Sequence, residues 1–173
     1  MKQESMPVRL AKDSMRYYME HAAMIPEPAS RALPTELTNP AGVFVSLKKH
    51  GKLRGCIGTI LPTQSNAAQE IIRNAVSAAT EDPRFSRVMP SELDELDVSV
   101  DILGAPERID SMDKLDPKRY GVIVRRGNRS GVLLPDIEGV DTAEEQVSIA
   151  CGKAGIRSEE SVDLYRFEVT RYH

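Results

Sequence analysis

Apolar positions along the chain follow first a helical period, then a period of two, and then repeat that order. Val8, Ala11, Met15, Tyr18, Met19 and Ala22 fall at helical spacing. They predict an amphipathic helix over about residues 8–24. Pro7 suits its first turn, where a missing N–H costs little. Four prolines between Pro26 and Pro40 predict an ordered or semi-rigid loop. Val43–Leu47 reads as a strand, Lys48–Lys52 as a turn and Leu53–Ile60 as the return strand of a hairpin. Asn66 with Gln69 resembles a capping box that opens a helix over about 66–80. Ala68, Ile71, Ile72, Ala75, Val76 and Ala79 form its apolar face, and Asp82-Pro83 lies beyond its end. Asp97–Ile102 alternates with period two, as a strand buried on one face does.

The same succession returns in the second half. Tyr120–Arg126 reads as a strand, Gly127–Gly131 as a turn and Val132–Leu134 as the return strand. Leu134-Pro135 ends it, as Leu61-Pro62 ends the first hairpin. Thr142 with Glu145 is a capping box for a helix over about 143–154, closed by Gly155 in a left-handed conformation. Val162–Val169 supplies a last strand. The order is therefore helix, then strand–strand–helix–strand twice. It reads either as an internal duplication or as two ordinary α+β motifs. Hairpin pairing implies a mostly antiparallel or mixed sheet rather than a doubly wound one. The expected class is α+β, one domain over 8–169 with sub-domains at about 43–103 and 120–169.

With 173 residues and 19.1 kDa, scaling predicts that roughly 70% of the unfolded surface is buried. A core is thus attainable without disulfides or a structural metal. No apolar run approaches the roughly 20 residues that span a bilayer, and residues 1–13 lack a signal-peptide core. Two cysteines and no export signal predict a cytoplasmic, reducing compartment. The net charge of −3 argues against a dedicated nucleic-acid binder, though it permits local basic patches.

Candidate chemistry concentrates in Leu53-Arg54-Gly55-Cys56-Ile57-Gly58-Thr59. Strand geometry turns Arg54, Cys56 and Gly58 to one face and Leu53, Gly55, Ile57 and Thr59 to the other. Glycines inside a strand mark a bulge or a close approach of ligand or backbone. A thiol near a fixed cation can be acidic and nucleophilic. One reading is a small polar pocket with Cys56 as a reactive thiol and Arg54 as its charge partner or an anion anchor. The other is a buried cysteine acting as a small hydrophobe.

This heptapeptide resembles the signature of the AMMECR domain family. Phe44–Leu47, Asp82-Pro83-Arg84-Phe85, Val98–Val100, Tyr120-Gly121, Leu133–Pro135, Thr142–Gln146 and Ala150–Ile156 extend the resemblance over about residues 8–169. Asp101 departs from it, a charge where a less polar residue is expected. The resemblance implies a compact α+β fold of two intertwined strand–strand–helix–strand motifs with an N-terminal helix. It also implies a role as the A component of the AmmeMemoRadiSam system, alongside a Memo-like protein and a radical SAM protein. It makes Arg54, Gly55, Cys56, Gly58 and Thr59 the residues of interest, without assigning a reaction.

Other candidates divide between function and packing. Arg84 could line a cleft or form a turn-stabilising salt bridge. Cys151 shares a helix face with Val147, Ala150 and Ala154, which favours core packing over a redox pair with Cys56. Thr142 and Glu145 could favour an anion, but capping explains both. Lys48, Lys49, His50 and Lys52 on one hairpin, and Arg125, Arg126 and Arg129 on the other, could meet phosphates or simply be solvated. His21, His50 and His173 are scattered, and no C-x-x-C, H-E-x-x-H, P-loop or G-x-G-x-x-G motif occurs, so neither a metal nor a cofactor is expected. Three functional readings follow: an accessory or ligand-binding component, a thiol-dependent enzyme using Cys56, and a phosphate- or nucleic-acid-binding module.

Overall fold

The first helix, α1, runs over Met6–His21 in a computed structural model that describes residues 4–173. It stops short of residue 24 because Ala22 turns left-handed (φ 51°) and returns its N–H to the Tyr18 carbonyl. Two compact units follow from the backbone contacts: residues 4–103 with Thr170–His173, and Gly104–Val169.

In the first unit, β1 (Val43–Lys49) pairs antiparallel with both β2 (Lys52–Thr59) and β3 (Leu96–Leu103). Val43, Val45 and Leu47 are fully buried, while Phe44 and Ser46 alternate with them and are half-buried. The register sets Ser46 opposite Cys56 on one side and Ser99 on the other. A helix over Ala67–Thr80 packs on the buried face; Asn66 caps it by accepting from the Gln69 N–H. The proline-rich segment is more structured than a loop. It holds a 3-10 turn at Ser30–Ala32 and the one-turn helix α2 (Thr35–Thr38). Pro34 leads into α2, which carries Leu37 wholly into the core. The helix over Ala67–Thr80 is therefore α3. Val8, Met15, Leu37, Val45, Ile71 and Val100 belong to one hydrophobic cluster. Asp101 is almost fully buried on β3 and receives Arg171 Nε and Nη2 at 2.7 and 2.9 Å, which balances its charge.

The second unit repeats the order. Strands β5 (Tyr120–Arg126) and β6 (Arg129–Leu133) form an antiparallel hairpin, and β5 pairs antiparallel with β7 (Asp163–Tyr172). A short strand, β4 (Glu107–Ile109), adds to β7; three residues are too few for a period to show in sequence. Helix α4 (Ala143–Ala154) carries both halves of the Thr142/Glu145 capping box and ends at Gly155 (φ 66°). Every ladder described within the two units is antiparallel. No helix among the described residues is long and apolar enough to cross a membrane.

Candidate functional site

Gly55 and Gly58 are glycines because neighbouring atoms leave no room for a side chain. A Cβ at Gly55 would stand 2.3 Å from the Ala78 carbonyl oxygen of α3, and one at Gly58 would stand 2.2 Å from the Phe44 ring. The helix therefore rests on the Gly55 face of β2. Arg54, Cys56 and Gly58 look the other way, as alternation requires.

On that second face the Cys56 Sγ lies 3.3 Å from the Ser46 Oγ, and Cys56 is half-buried. Cys56 also has its main chain held from outside the sheet. Its N–H donates to Asp82 Oδ2 at 2.9 Å, and its carbonyl accepts from Arg84 Nη2 at 3.3 Å. Asp82 and Arg84 thus supply what a further strand would supply, blunting the edge of β2. The guanidinium folds back onto Asp82, with Nε to Oδ1 at 3.1 Å and Nη2 to Oδ2 at 2.9 Å. The Asp82 side chain is 2% exposed and that of Arg84 56%. The Arg84 hydrogen bonds, with the Cys56 N–H, outweigh burial and hold the Asp82 carboxyl far below the usual range.

Arg54 is committed elsewhere. Its Nε and Nη2 grip Glu92 at 3.2 and 3.0 Å, and its Nη1 and Nη2 reach the Ser86 and Arg87 carbonyls at 2.7 and 3.3 Å. Lys49 joins Glu92 at 3.3 Å. These bonds tie β2 to the segment before β3 rather than to the thiol. Glu92 is held down to about 2, by Arg54 first and then by the Met89 N–H. Thr59 sits on the α3 side and donates to Glu70 Oε1 at 2.6 Å. Glu70 also accepts from the Thr63 N–H and hydroxyl and the Gln64 N–H at 2.7–2.9 Å. Burial pushes the Glu70 carboxyl up, but these four donors together bring it below its ordinary value.

The structure thus brings Cys56, Arg84, Asp82 and Ser46 together and places Arg54 and Thr59 in two separate polar networks. Asp82 was legible as the first residue of an Asp-Pro-Arg turn. Ser46 was not, because strand register is invisible in one sequence. A thiol, a hydroxyl and an exposed guanidinium can bind a carbonyl or an anion. The sulfur's hydrogen-bond partner is a hydroxyl, not a base. No cluster of potential metal ligands occurs among the described residues. Cys151 lies in the second unit as a free thiol that burial, with Glu160 nearby, pushes up.

The two basic hairpin tips are largely paired. Lys49 and His50 meet Glu95 at 3.4 and 3.1 Å. Arg126 and Arg129 meet Glu160 at 2.8 and 2.7 Å, and Arg125 lies over the Tyr165 ring.

Acid should weaken the fold. Glu70, Asp82 and Glu92 all have lowered folded-state pKa values, so each contributes stability above the ordinary carboxylate range. Each loses that contribution as pH falls through its folded value. Melting temperatures should therefore be flat near neutrality and drop between about pH 4.5 and 2. Glu92→Gln should flatten part of that drop; an unchanged profile would contradict the assignment.

The AMMECR1 family model matches residues 8–172. A protein of Thermotoga maritima is 52% identical over 95% of this chain and 93% of its own length. A Clostridium acetobutylicum protein is 49% identical over 99% of this chain, which spans only 36% of that relative. The crystal structure of an uncharacterised Pyrococcus horikoshii protein superposes with a TM-score of 0.86 at 34% identity, covering 95% of this chain and 88% of that one. The chain belongs to the AMMECR1 family.

Proposed function

We propose that the chain is an accessory, ligand-binding component that acts with a Memo-like protein and a radical SAM protein. Its working surface is the Cys56 face of β2, flanked by Arg84. One observation carries this reading: the Cys56 thiol and Ser46 hydroxyl, 3.3 Å apart, lie on the sheet face opposite α3. Packing of the α3 core does not account for them. The Asp82–Arg84 turn fixes the Cys56 backbone while leaving the Arg84 guanidinium reachable. The Clostridium relative agrees with an accessory role, because most of its length lies outside the matched module.

The thiol-dependent enzyme has weaker support, since among the described residues the Cys56 sulfur bonds the Ser46 hydroxyl and not a base. The nucleic-acid reading is weakened by the Glu92, Glu95 and Glu160 pairs that occupy the basic tips.

Co-purification tests the proposal. The tagged full chain should retain the Memo-like or radical SAM protein from its own source. Arg84→Ala and Cys56→Ser should reduce retention without lowering the melting temperature by more than a few degrees. Failure of the unaltered chain to retain either protein under several salt conditions would overturn it.

A further inference from the structure

The second unit holds a cavity of about 610 Å³ along one side of α4, from Glu144 to Gly152. Its walls are mainly apolar: Met112, Val147, Cys151, Ile156, Val162 and Leu164. That volume and character lie within the range of small-molecule sites.

Two further observations mark it. The first is Gly152, which lines the cavity in the last turns of α4. Glycine in a helix is less stable than alanine, so its presence calls for a cause. Gly55, Gly58, Gly121 and Gly131 each have one, because a Cβ there would collide with backbone or an aromatic ring. Gly152 has none among the described residues: its φ is not left-handed, and a Cβ would meet nothing within 4 Å. Gly152 is exposed, and a glycine there leaves the mouth of the cavity open where a side chain would narrow it.

The second observation is that the far wall is fastened in place. Arg129 Nη1 binds the Gly155 carbonyl at 2.8 Å and Nη2 binds Glu160 at 2.7 Å. Arg126 Nη1 binds the Ser161 carbonyl and hydroxyl at 2.7 and 3.1 Å. The Arg157 N–H donates to Glu160 at 3.1 Å. A wall braced in this way keeps the space open instead of collapsing into it, and preorganisation of this kind favours binding.

Charge selects the ligand. Among the described residues Arg157 is the one lining cation, with its side chain 80% exposed and a loose contact to Glu159 at 3.9 Å. Glu160 is already neutralised by Arg126 and Arg129. Glu144 also lines the cavity, but at its far end: it lies eight residues before Gly152 on α4, roughly 12 Å along the axis. We propose that this cavity binds a small molecule with an apolar body and one anionic group directed at Arg157.

Fluorescence titration of the full chain tests this with two probes of one apolar body. One is 1-anilinonaphthalene-8-sulfonate, and the other is its uncharged counterpart N-phenyl-1-naphthylamine. The sulfonate should saturate a single site. Gly152→Phe should weaken both probes by at least about tenfold, a difference easily resolved in titration. It should not lower the melting temperature, because the new side chain enters open space. If Gly152→Phe does melt lower, Gly152→Leu carries the same test. Arg157→Ala should weaken the sulfonate severalfold and leave the neutral probe unchanged. Absence of saturable binding, or a glycine variant that binds like the parent, overturns the site. Equal loss of both probes in Arg157→Ala overturns its anion preference.

Discussion

Gly55→Ala should destabilise the protein by about 3 kcal/mol, although it adds one methyl group and removes no polar contact. The new Cβ would stand 2.3 Å from the Ala78 carbonyl oxygen and 3.2 Å from its carbon. Both atoms belong to the α3 backbone, so no side chain can swing aside. Either the helix lifts from the strand or β2 bends away from β1. Each outcome loosens contacts of Val45, Leu47, Ile71 and Ala75, all fully buried. For a chain of this size the loss corresponds to a melting temperature roughly 10 °C lower. Gly58→Ala should cost less, because it meets the Phe44 ring, which has a side-chain torsion to turn. Cys56→Ser, between them, should cost no more than about 1 kcal/mol, since its Ser46 partner can bond an oxygen as well. A Gly55→Ala variant that melts like the parent would refute the steric reading. The same test transfers to Gly131, where a Cβ would stand 1.9 Å from the Ala150 carbonyl oxygen of α4.

Glu70→Ala should be the second severe change, at about 3 kcal/mol or more. Glu70 is 0% exposed and accepts four hydrogen bonds, from two hydroxyls and two backbone N–H groups. Alanine removes the shared acceptor and leaves four donors unpaired, of which those of half-buried Thr59 and Gln64 have limited access to water. Glu70→Gln keeps the shape but turns an amide donor toward groups that are themselves donors, so it should rescue only part of the loss. Thr59→Val should lose about 1 kcal/mol, because Glu70 retains three donors and Asn74 still reaches the Val43 carbonyl at 2.9 Å. Urea unfolding of the three variants gives this ranking directly; equal losses for all three would contradict it.

The elements were readable where their signals are local. The capping residues Asn66 and Thr142, the left-handed Gly155 and the buried stripe of α3 follow from spacing and side-chain chemistry. The one-turn α2 and the three-residue β4 escape such reading because neither completes a period. Candidate chemistry divides the same way. Alternation along β2 correctly separates Cys56 from Gly55, since side-chain direction in a strand is a local property. The partners do not follow. Arg54 stands two residues from Cys56, on the same face, yet its guanidinium is claimed by Glu92, which lies 38 residues away in sequence. Glu70 likewise gave no signal beyond being a charge in an apolar helix, because three of its four donors come from a turn whose path the sequence does not disclose. The duplicated order of elements, by contrast, has a physical counterpart. In each unit a strand glycine, Gly55 or Gly131, receives the carbonyl of the helix that follows.

The proposed working surface requires Cys56 to be reachable from solvent, while Cys151 serves as a wall. Timed iodoacetamide alkylation of the folded protein, read by peptide mass spectrometry, measures both thiols at once. Cys56 should be modified well before Cys151, without loss of secondary structure, and its modification should abolish partner retention. Alkylation of Cys56 only at denaturant concentrations that unfold the whole chain would contradict the account.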